Sequence, residues 1–549
     1  MVFVNLFLFI TAFFLISASL SGHGKVITYK NNFDFFENIF FGFISLALIN
    51  TFIHFFVKIE FQYSFCILLL GLIFFRKNLF KQKLFRKKNI FFLLLLIFLI
   101  PLFISQKYHE DFGYYHLPYA LLLLEEKIIF GIANSNIAYV YNSIWLNIYP
   151  SFFLWDKSYD YLTFSTFILY VIFICYLINN ILKNETWKLS KLFSILLIFY
   201  YVLKFTRISE FGLDLPSAIY SNLSILFFIK FFETDNIYEK KKFFFFNLNF
   251  VIFSILIKLS SLPVILLSII LYFKNFKLLK KELIKINFIF IYLLSLFFLF
   301  QQFIYTGCFI FPNELSCLNV SWFNHDFLSL KTILETTNKS YSEAKEIMSK
   351  EEFLENFKWF PYWFKRNYSE IGTHILTMLL PMITIYFFSI KKNEKNLRSN
   401  EIRLCLLIFV LLSLVFWLTF SPVYRFAVPF FVTAVFLTLS IFFNKREIPN
   451  NLFLIFIILC LSFNFIKNVN RIYEKKKIVF GIDKMINKYR LDKENSKNHT
   501  NIFFVDNENN QSNGWQGRLC WDVPIVCTYR KIQVNRNNNY LFINKLSGK

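Results

Sequence analysis

Long apolar stretches alternate with short polar segments along most of this 549-residue chain. Many of these stretches are uncharged and approach the roughly 20 residues that a helix needs to cross a bilayer. The pattern predicts about fourteen membrane-spanning helices, at 1–20, 37–57, 62–75, 90–106, 158–182, 192–205, 216–232, 243–258, 262–273, 288–305, 371–390, 403–420, 427–443 and 451–466.

The composition excludes a soluble protein. Hydrophobic residues make up 56% of the chain, and the mean hydropathy is +0.50. A soluble domain could not bury this much apolar surface. The first stretch, 1–20, has the length of a signal peptide, but it lacks a basic start and a small-residue cleavage site. We therefore expect it to be retained as the first helix.

The basic residues cluster in the short segments between apolar stretches. The segment RKNLFKQKLFRKKN within 76–89 holds seven Lys or Arg and no acid, so it should stay in the cytoplasm. Alternation then places other basic segments there too, at 183–191, 233–242, 274–287, 391–403 and 444–450. The loops assigned outside carry few basic residues: 58–61, 107–157, 205–215 and 421–426. The net charge of +24 thus reflects topology, and no nucleic-acid partner is predicted.

The sequence predicts an all-α polytopic membrane unit, 1–466, with three external pieces. Loop 107–157 should carry two apolar helices lying along the membrane interface, with Gly113 and Pro118 breaking the segment before them. Loop 306–370 should form two or three short helices. The tail 467–549 has apparent strands at NIFFVD and NYLFIN, typical of a small α/β or β-rich external domain.

The cysteines divide into two groups. Four lie within predicted spans, where a thiol is an ordinary small apolar group: Cys66, Cys175, Cys405 and Cys460. The other four lie in external segments, as the pairs Cys308 with Cys317 and Cys520 with Cys527. An oxidising outer face favours two disulfides. Zinc is the alternative, but no nearby histidine pair completes a four-ligand set.

The candidate chemistry centres on HEDFGYYHLPY, an acidic and aromatic segment at the predicted outer surface. Asp111 is followed directly by aromatic rings, which suits a group that binds a sugar and accepts a hydroxyl proton. A dry interface can raise the pKa of such a carboxyl group into the working range. The alternative is a structural ion pair. Four neighbours are predicted to bind substrate: Glu110, Tyr114, Tyr115 and His116.

Further polar residues lie at the predicted outer ends of other spans. They are Arg207, Glu210, Asp214, Lys258 and Arg425. An arginine fork suits a phosphate group because it forms two parallel hydrogen bonds. We therefore interpret Arg425, with Lys258 or Arg207, as a candidate phosphate-binding set. Simple snorkelling of these side chains toward water is the alternative.

These residues resemble the GT-C superfamily of membrane glycosyltransferases, in which the first large external loop carries an essential Asp or Glu. The segments EDFGYYHLPYALLLLEE, RISEFGLDLP, GCFIFP and CWDVPIVCTY are also similar to a family of uncharacterised multispanning bacterial proteins. The resemblance implies a sugar donor carried on a polyprenyl phosphate or diphosphate. There is no DxD motif, which fits such donors. Four spans precede the acidic loop here, whereas one is common in GT-C proteins.

The leading hypothesis is a glycosyltransferase of the bacterial inner membrane, with its site on the periplasmic face. Its partners would be a lipid-linked sugar donor, a glycan, lipid or protein acceptor, and membrane lipids. No cofactor is predicted, and a divalent cation is compatible with the residues. The alternatives are an O-antigen-type polymerase or ligase and a polysaccharide-precursor flippase or other transporter. Transport would favour ionisable residues in the middle of several spans, and the sequence concentrates them at span ends.

Overall fold

The computed structural model describes residues 2–28, 33–79, 87–105, 111–152, 163–183, 188–205, 212–391, 399–474, 502–504, 519–521, 523, 526–529 and 532–545. Helices dominate this part of the chain. The α-helices within it are α1 (Val2–Ile27), α2 (Phe35–His54), α3 (Phe61–Leu79), α4 (Lys87–Ile104), α5 (Leu117–Glu125), α6 (Phe164–Lys183), α7 (Leu189–Lys204), α8 (Asp214–Glu233), α9 (Ile237–Ile257), α10 (Ile265–Lys274), α11 (Phe276–Leu279), α12 (Ile289–Thr306), α13 (Asp326–Asn338), α14 (Lys350–Leu354), α15 (Phe360–Phe388), α16 (Ser399–Phe420), α17 (Val428–Phe442) and α18 (Asn450–Glu474).

Each of the fourteen predicted apolar stretches coincides with a described helix, and only α5, α11, α13 and α14 lie elsewhere. Nine described helices are long and apolar enough to cross a membrane: α1, α2, α6, α8, α12, α15, α16, α17 and α18. Three shorter apolar helical segments are also present among the described residues, and they contain α3, α4 and α10. The prediction of an all-α, multi-pass architecture is confirmed at this level, and a total of about twelve to fourteen spans stays a prediction.

Several helices extend beyond the predicted spans, and α15 and α18 do so by the most residues. Helix α15 begins at Phe360, well before the predicted start at 371, because the aromatic segment FPYWF continues the helix and Pro361 is tolerated in its first turn. Helix α18 continues to Glu474, beyond the predicted end at 466. Both extensions lie at the helix ends assigned outside. These helices therefore project past the apolar stretch into the outer region.

One end of the helix bundle collects the predicted cytoplasmic segments. Lys242 Nζ lies 2.9 Å from Glu37 Oε2, joining the starts of α9 and α2. Lys274 Nζ lies 2.9 Å from Glu401 Oε1, joining the end of α10 to the start of α16. The strands β1 (Ile390–Lys391) and β2 (Arg446–Glu447) form an antiparallel pair here.

The opposite end collects the predicted outer segments. Trp363 donates its indole N–H to Pro422 O at 2.6 Å, linking the start of α15 to the turn before α17. Arg536 in the tail pairs with Glu126 in loop 107–157 at 3.0 Å. The predicted cytoplasmic segments thus lie at one end of the bundle and the predicted outer segments at the other. This is the arrangement expected of a chain that crosses a membrane repeatedly.

The first three helices pack through glycines. A Cβ on Gly22 would lie 1.9 Å from the Gly71 carbonyl oxygen, so α1 and α3 meet backbone to backbone. A Cβ on Gly42 would lie 2.1 Å from Leu20 O, and α1 and α2 therefore touch in the same way. Small residues allow this close approach where lipid provides no hydrophobic force between helices.

The prediction of two interface helices in loop 107–157 is wrong in its second half. The first exists as the nine-residue α5, but Leu117–Leu123 are all buried in the protein, and its place along the interface stays a prediction. The second segment instead forms three 3-10 turns, at Ile132–Asn134, Ile137–Val140 and Leu146–Phe152. Pro150 and a series of asparagines interrupt the helical pattern there, because Asn side chains compete for backbone hydrogen bonds. The last turn is buried inside the bundle and does not lie along its surface.

A buried polar network fixes this loop between α2 and α12. Asn147 donates to Thr51 Oγ1 at 2.9 Å and to Gln301 Oε1 at 2.8 Å. Tyr119 donates to Asn147 Oδ1 at 2.9 Å and shares a hydrogen bond with Tyr305. The loop is thus a rigid part of the bundle, since buried polar groups are costly unless paired.

Loop 306–370 contains two α-helices, α13 and α14, in agreement with the prediction of two or three short helices. Short 3-10 turns connect them. The disulfide Cys308–Cys317 closes the start of the loop. The buried residues around it form a small apolar cluster with Ala133 and Val140 of loop 107–157.

The described tail is strand-rich, with β3 (Ile502–Phe504), β4 (Val526–Thr528), β5 (Ile532–Asn537) and β6 (Tyr540–Lys545). Strand β3 pairs in parallel with β4, and β5 forms an antiparallel hairpin with β6. The hairpin is joined to loop 107–157, because Phe130 N donates to Leu541 O and Ile543 N donates to Phe130 O. The second predicted disulfide, Cys520–Cys527, is present as well, and the four span cysteines are free thiols.

Candidate functional site

Asp111 stands at the start of a π-helical turn, Phe112–His116, that leads directly into α5. A π turn closes with i→i+5 hydrogen bonds, here from Leu117 N to Phe112 O. Asp111 and His116 are therefore about one turn apart and lie on the same side. Pro118 sits in the first turn of α5, where its missing N–H costs nothing. Such π turns are rare and recur at functional sites.

Three other predicted residues meet at the predicted outer ends of separate helices. Asp214 begins α8, Lys258 follows α9, and Arg425 lies in the 3-10 turn before α17. The Lys258 ammonium pairs with Asp214 Oδ1. Arg425 Nε lies 3.2 Å from Asp214 Oδ2. One carboxylate therefore orients two cations, which leaves the cluster a net positive charge.

An aromatic ring supports both cations. Lys258 Nζ lies 3.6 Å from the Phe426 ring centroid, and Arg425 Cζ lies 5.8 Å from it. Cation–π contacts of this kind hold positive groups in partly dry surroundings. Because the ring accepts no conventional hydrogen bond, it leaves the contacts of Lys258 and Arg425 with Asp214 in place.

The cations face a small, partly open pocket of about 10 Å³, which is room for roughly one water molecule. Its lining combines the charged cluster with hydroxyl groups and apolar walls: Asp214, Ser217, Ala218, Lys258, Ser260, Ser261, Arg425, Phe426 and Pro429. Ser217 Oγ and Ser261 Oγ are 2.6 Å apart. Hydroxyl donors beside two cations match the oxygens of a phosphate group.

Asp111 and the π turn that follows it, Phe112–His116, are called the Asp111 turn below. This turn faces the cluster through Tyr115 and His116. Burial raises the pKa of the Tyr115 hydroxyl well above its usual range, and the negative charges of Asp111 and Asp214 raise it further. Tyr115 therefore stays protonated and can only donate from its O–H to an anionic group. His116 is buried, with its ring 4.1 Å from that of Tyr115, and interacts electrostatically with Asp214.

The carboxylates of Asp214 and Asp111 both act electrostatically on Lys258. Burial lowers the pKa of Lys258, whereas the charges of Asp214 and Asp111 raise it. Asp111 thus lies within electrostatic reach of the two-cation cluster. The structure places a candidate base and a candidate anion site next to each other, although their residues come from four separate parts of the chain.

A second group of polar residues borders the cluster on its other side. The Glu370 carboxylate lies near the Tyr424 side chain, and the His374 ring lies 4.8 Å from the Tyr424 ring. His374 Nδ1 is 2.8 Å from Tyr200 OH. Sequence reasoning missed these residues. Tyr424 could have been predicted from its position next to Arg425. Predicting Glu370 and His374 would have required knowing that α15 begins at Phe360.

Of the predicted site residues, the structure brings six together: Asp111, Tyr115, His116, Asp214, Lys258 and Arg425. Glu110, Arg207 and Glu210 lie outside the described residues. Tyr114 turns the other way, with its ring 5.2 Å from Tyr529 of the tail. The pocket serines were missed because isolated serines in apolar helices carry no distinctive pattern.

In the described ranges, no group of three or more His, Cys, Asp or Glu side chains is placed to hold a metal ion.

Residues 1–432 match a protein family described as a domain of unknown function, DUF8201. The chain belongs to this family. No curated protein and no solved structure matches the chain. The DUF8201 match includes every residue of the cluster up to Arg425, and the disulfide Cys520–Cys527 lies beyond it.

Proposed function

We propose that this protein is a GT-C-like membrane glycosyltransferase that uses a sugar carried on a polyprenyl phosphate. The observation that carries the proposal is the adjacency of the Asp111 turn and the two-cation pocket of Lys258 and Arg425. Transfer from such a donor needs a group that accepts a proton and a group that holds a leaving phosphate. The acceptor would be a glycan, lipid or protein.

The pocket would bind the donor phosphate. Arg425 can supply a planar fork and Lys258 a compact ammonium, while Asp214 keeps both oriented in the empty site. Ser217 and Ser261 also line the pocket, with their hydroxyl groups hydrogen-bonded to each other. As the sugar leaves, negative charge grows on the phosphate, and fixed cations stabilise it without reorganising.

Asp111 would act as the general base. Its carboxylate takes the proton of an acceptor hydroxyl, and the acceptor oxygen attacks the sugar C1. The bond between C1 and the phosphate oxygen breaks, and its electron pair leaves with the polyprenyl phosphate. The proton then passes from Asp111 to water. A single displacement of this kind inverts the configuration at C1.

The distribution of charge favours an enzyme over a transporter. In the described spans, charged side chains gather at helix ends, and the deeply buried polar groups of the outer loop network are neutral amides and hydroxyls. Ion- or substrate-coupled transport would favour ionisable groups along the path. A polymerase or ligase would also use the cations but would not need Asp111.

The test is donor turnover by membranes containing the protein. Undecaprenyl-phosphate glucose, galactose and mannose are supplied separately, and release of undecaprenyl phosphate is followed by mass spectrometry. Asp111→Asn keeps the size of the side chain but cannot accept the proton, so turnover should fall about 10²–10⁴-fold. Near-normal turnover by this variant would exclude the base role.

The matched control is Asp326→Asn. Asp326 also lies on the outer side, where it forms an exposed ion pair with Lys545. Exposed pairs contribute little, so turnover should stay within about threefold of the unaltered protein. Equal amounts of folded variant in the membrane are checked by detergent gel filtration.

A further inference from the structure

The C-terminal disulfide segment is seated directly on the Asp111 turn. The backbone N–H of Trp521 donates to Gly113 O at 2.9 Å. A Cβ on Gly113 would lie 2.7 Å from the Trp521 indole, so only glycine allows the ring to approach this closely. The Trp521 side chain is buried, and its ring centroid is 6.1 Å from that of Phe112.

Trp521 holds a backbone conformation that bulky residues rarely adopt. Its φ is +49°, in the left-handed region. Such conformations persist only where the surroundings enforce them. Here Trp521 is the first residue inside the loop closed by Cys520–Cys527, and Cys520 N donates to Tyr529 OH at 3.0 Å.

The π turn therefore has two faces with separate partners. Gly113 and Tyr114 face the tail, through Trp521 and Tyr529. Asp111 and Tyr115 lie within electrostatic reach of the cation cluster. A π turn is intrinsically less favourable than an α turn, so a ring pressed against one face helps to fix the direction of the other.

We infer that Trp521 is a positioning residue that holds the Asp111 turn in its working geometry, and that the Cys520–Cys527 disulfide enforces the Trp521 conformation. The inference rests on the proposed function for its effect on catalysis. Its structural part, the ordering of the π turn by the tail, can be measured without any activity.

The first measurement is hydrogen exchange of the amides in 113–117, using the full-length protein in nanodiscs. Trp521→Ala keeps the backbone hydrogen bond to Gly113 but removes the ring packed against it, so it should speed exchange by about tenfold or more. Trp521→Phe keeps a ring over Gly113 and should restore part of the protection. The double variant Cys520→Ser/Cys527→Ser should match Trp521→Ala. Unchanged exchange in Trp521→Ala would overturn the inference.

The second measurement is turnover of undecaprenyl-phosphate hexose. A misplaced base lowers kcat, by about 10²-fold for a shift on the order of 1 Å. KM for the donor should stay within about twofold, because Lys258 and Arg425 lie on other elements. A rise in KM at constant kcat would overturn the positioning role.

The control is Cys308→Ser/Cys317→Ser, which removes an outer disulfide of similar span whose apolar cluster is separate from the Asp111 turn. It should leave exchange in 113–117 and kcat unchanged. If Trp521→Ala speeds exchange while the unaltered protein turns over no donor, the glycosyltransferase proposal fails and the ordering of the turn stands.

Discussion

Arg425 Nε lies 3.2 Å from Asp214 Oδ2, and this contact joins the first turn of α8 to the turn that precedes α17. Lys258, which follows α9, binds the other oxygen of the same carboxylate. Three helices are thus joined at one point on the outer end of the bundle. A bound phosphate would replace or extend this carboxylate bridge.

Arg425→Lys retains the charge but loses the planar fork. We expect KM for undecaprenyl-phosphate hexose to rise about tenfold, the loss expected for one charged hydrogen bond, with kcat nearly unchanged. Initial rates over a range of donor concentrations separate the two constants. Arg366→Lys, at an exposed outer site 3.7 Å from Glu343, is the control and should change neither. A fall in kcat at constant KM would instead assign Arg425 to the chemical step.

Tyr115→Phe removes one hydroxyl donor and keeps the ring. Because burial raises the pKa of Tyr115 well above its usual range, the group is protonated throughout pH 6–9. Turnover should therefore fall about two- to tenfold, by an amount that is constant across this range. A pH–rate profile of both proteins checks this. A loss that grows with pH would mean that Tyr115 ionises in the working range.

The orientation of the bundle predicts which cysteines react from outside. Leu315→Cys, at a fully exposed outer position, should react with an impermeant maleimide in intact cells. Tyr238→Cys, exposed at the basic end, should react only after permeabilisation. Both are made after replacing the free thiols, namely Cys66, Cys175, Cys405 and Cys460. The reverse labelling would place the Asp111 turn in the cytoplasm.

The Cys308–Cys317 disulfide closes a short loop, which is worth about 2–3 kcal/mol in the chain-entropy account. Cys308→Ser/Cys317→Ser should lower the temperature of thermal aggregation while leaving turnover at 20 °C unchanged. Heating in detergent followed by gel filtration measures the first effect. A loss of turnover at 20 °C would instead connect this loop to the site.

The helices were predictable because apolar length is a local property of the sequence. All fourteen stretches appear as helices. The errors fall where tertiary contacts decide. Residues 132–152 are apolar enough for a helix, but their asparagines bind neighbouring elements, as Asn134 does with Trp322 O and Ile543 O. Their 3-10 turns follow from partners distant in sequence.

The candidate site was partly predictable for the same reason. Asp214, Lys258 and Arg425 are charged residues at the ends of apolar stretches, and topology alone assigns those ends to one side. Their pairing through a single carboxylate depends on how α8, α9 and α17 pack. The contact of Trp521 with Gly113 could not be predicted, because no pattern in the segment CWDVPIVC indicates which part of the chain it packs against.

The pairing of the C-terminal hairpin with Phe130 sets an order for biogenesis. Glu126 and its partner Arg536 are 410 positions apart. At translation rates of about 5–20 residues per second, the C-terminal hairpin is synthesised roughly 20–80 s after the loop segment with which it pairs. Under the predicted topology, the hairpin would cross the membrane only after the last span has been made. Pairing of the tail with the loop would then be the step that finishes assembly.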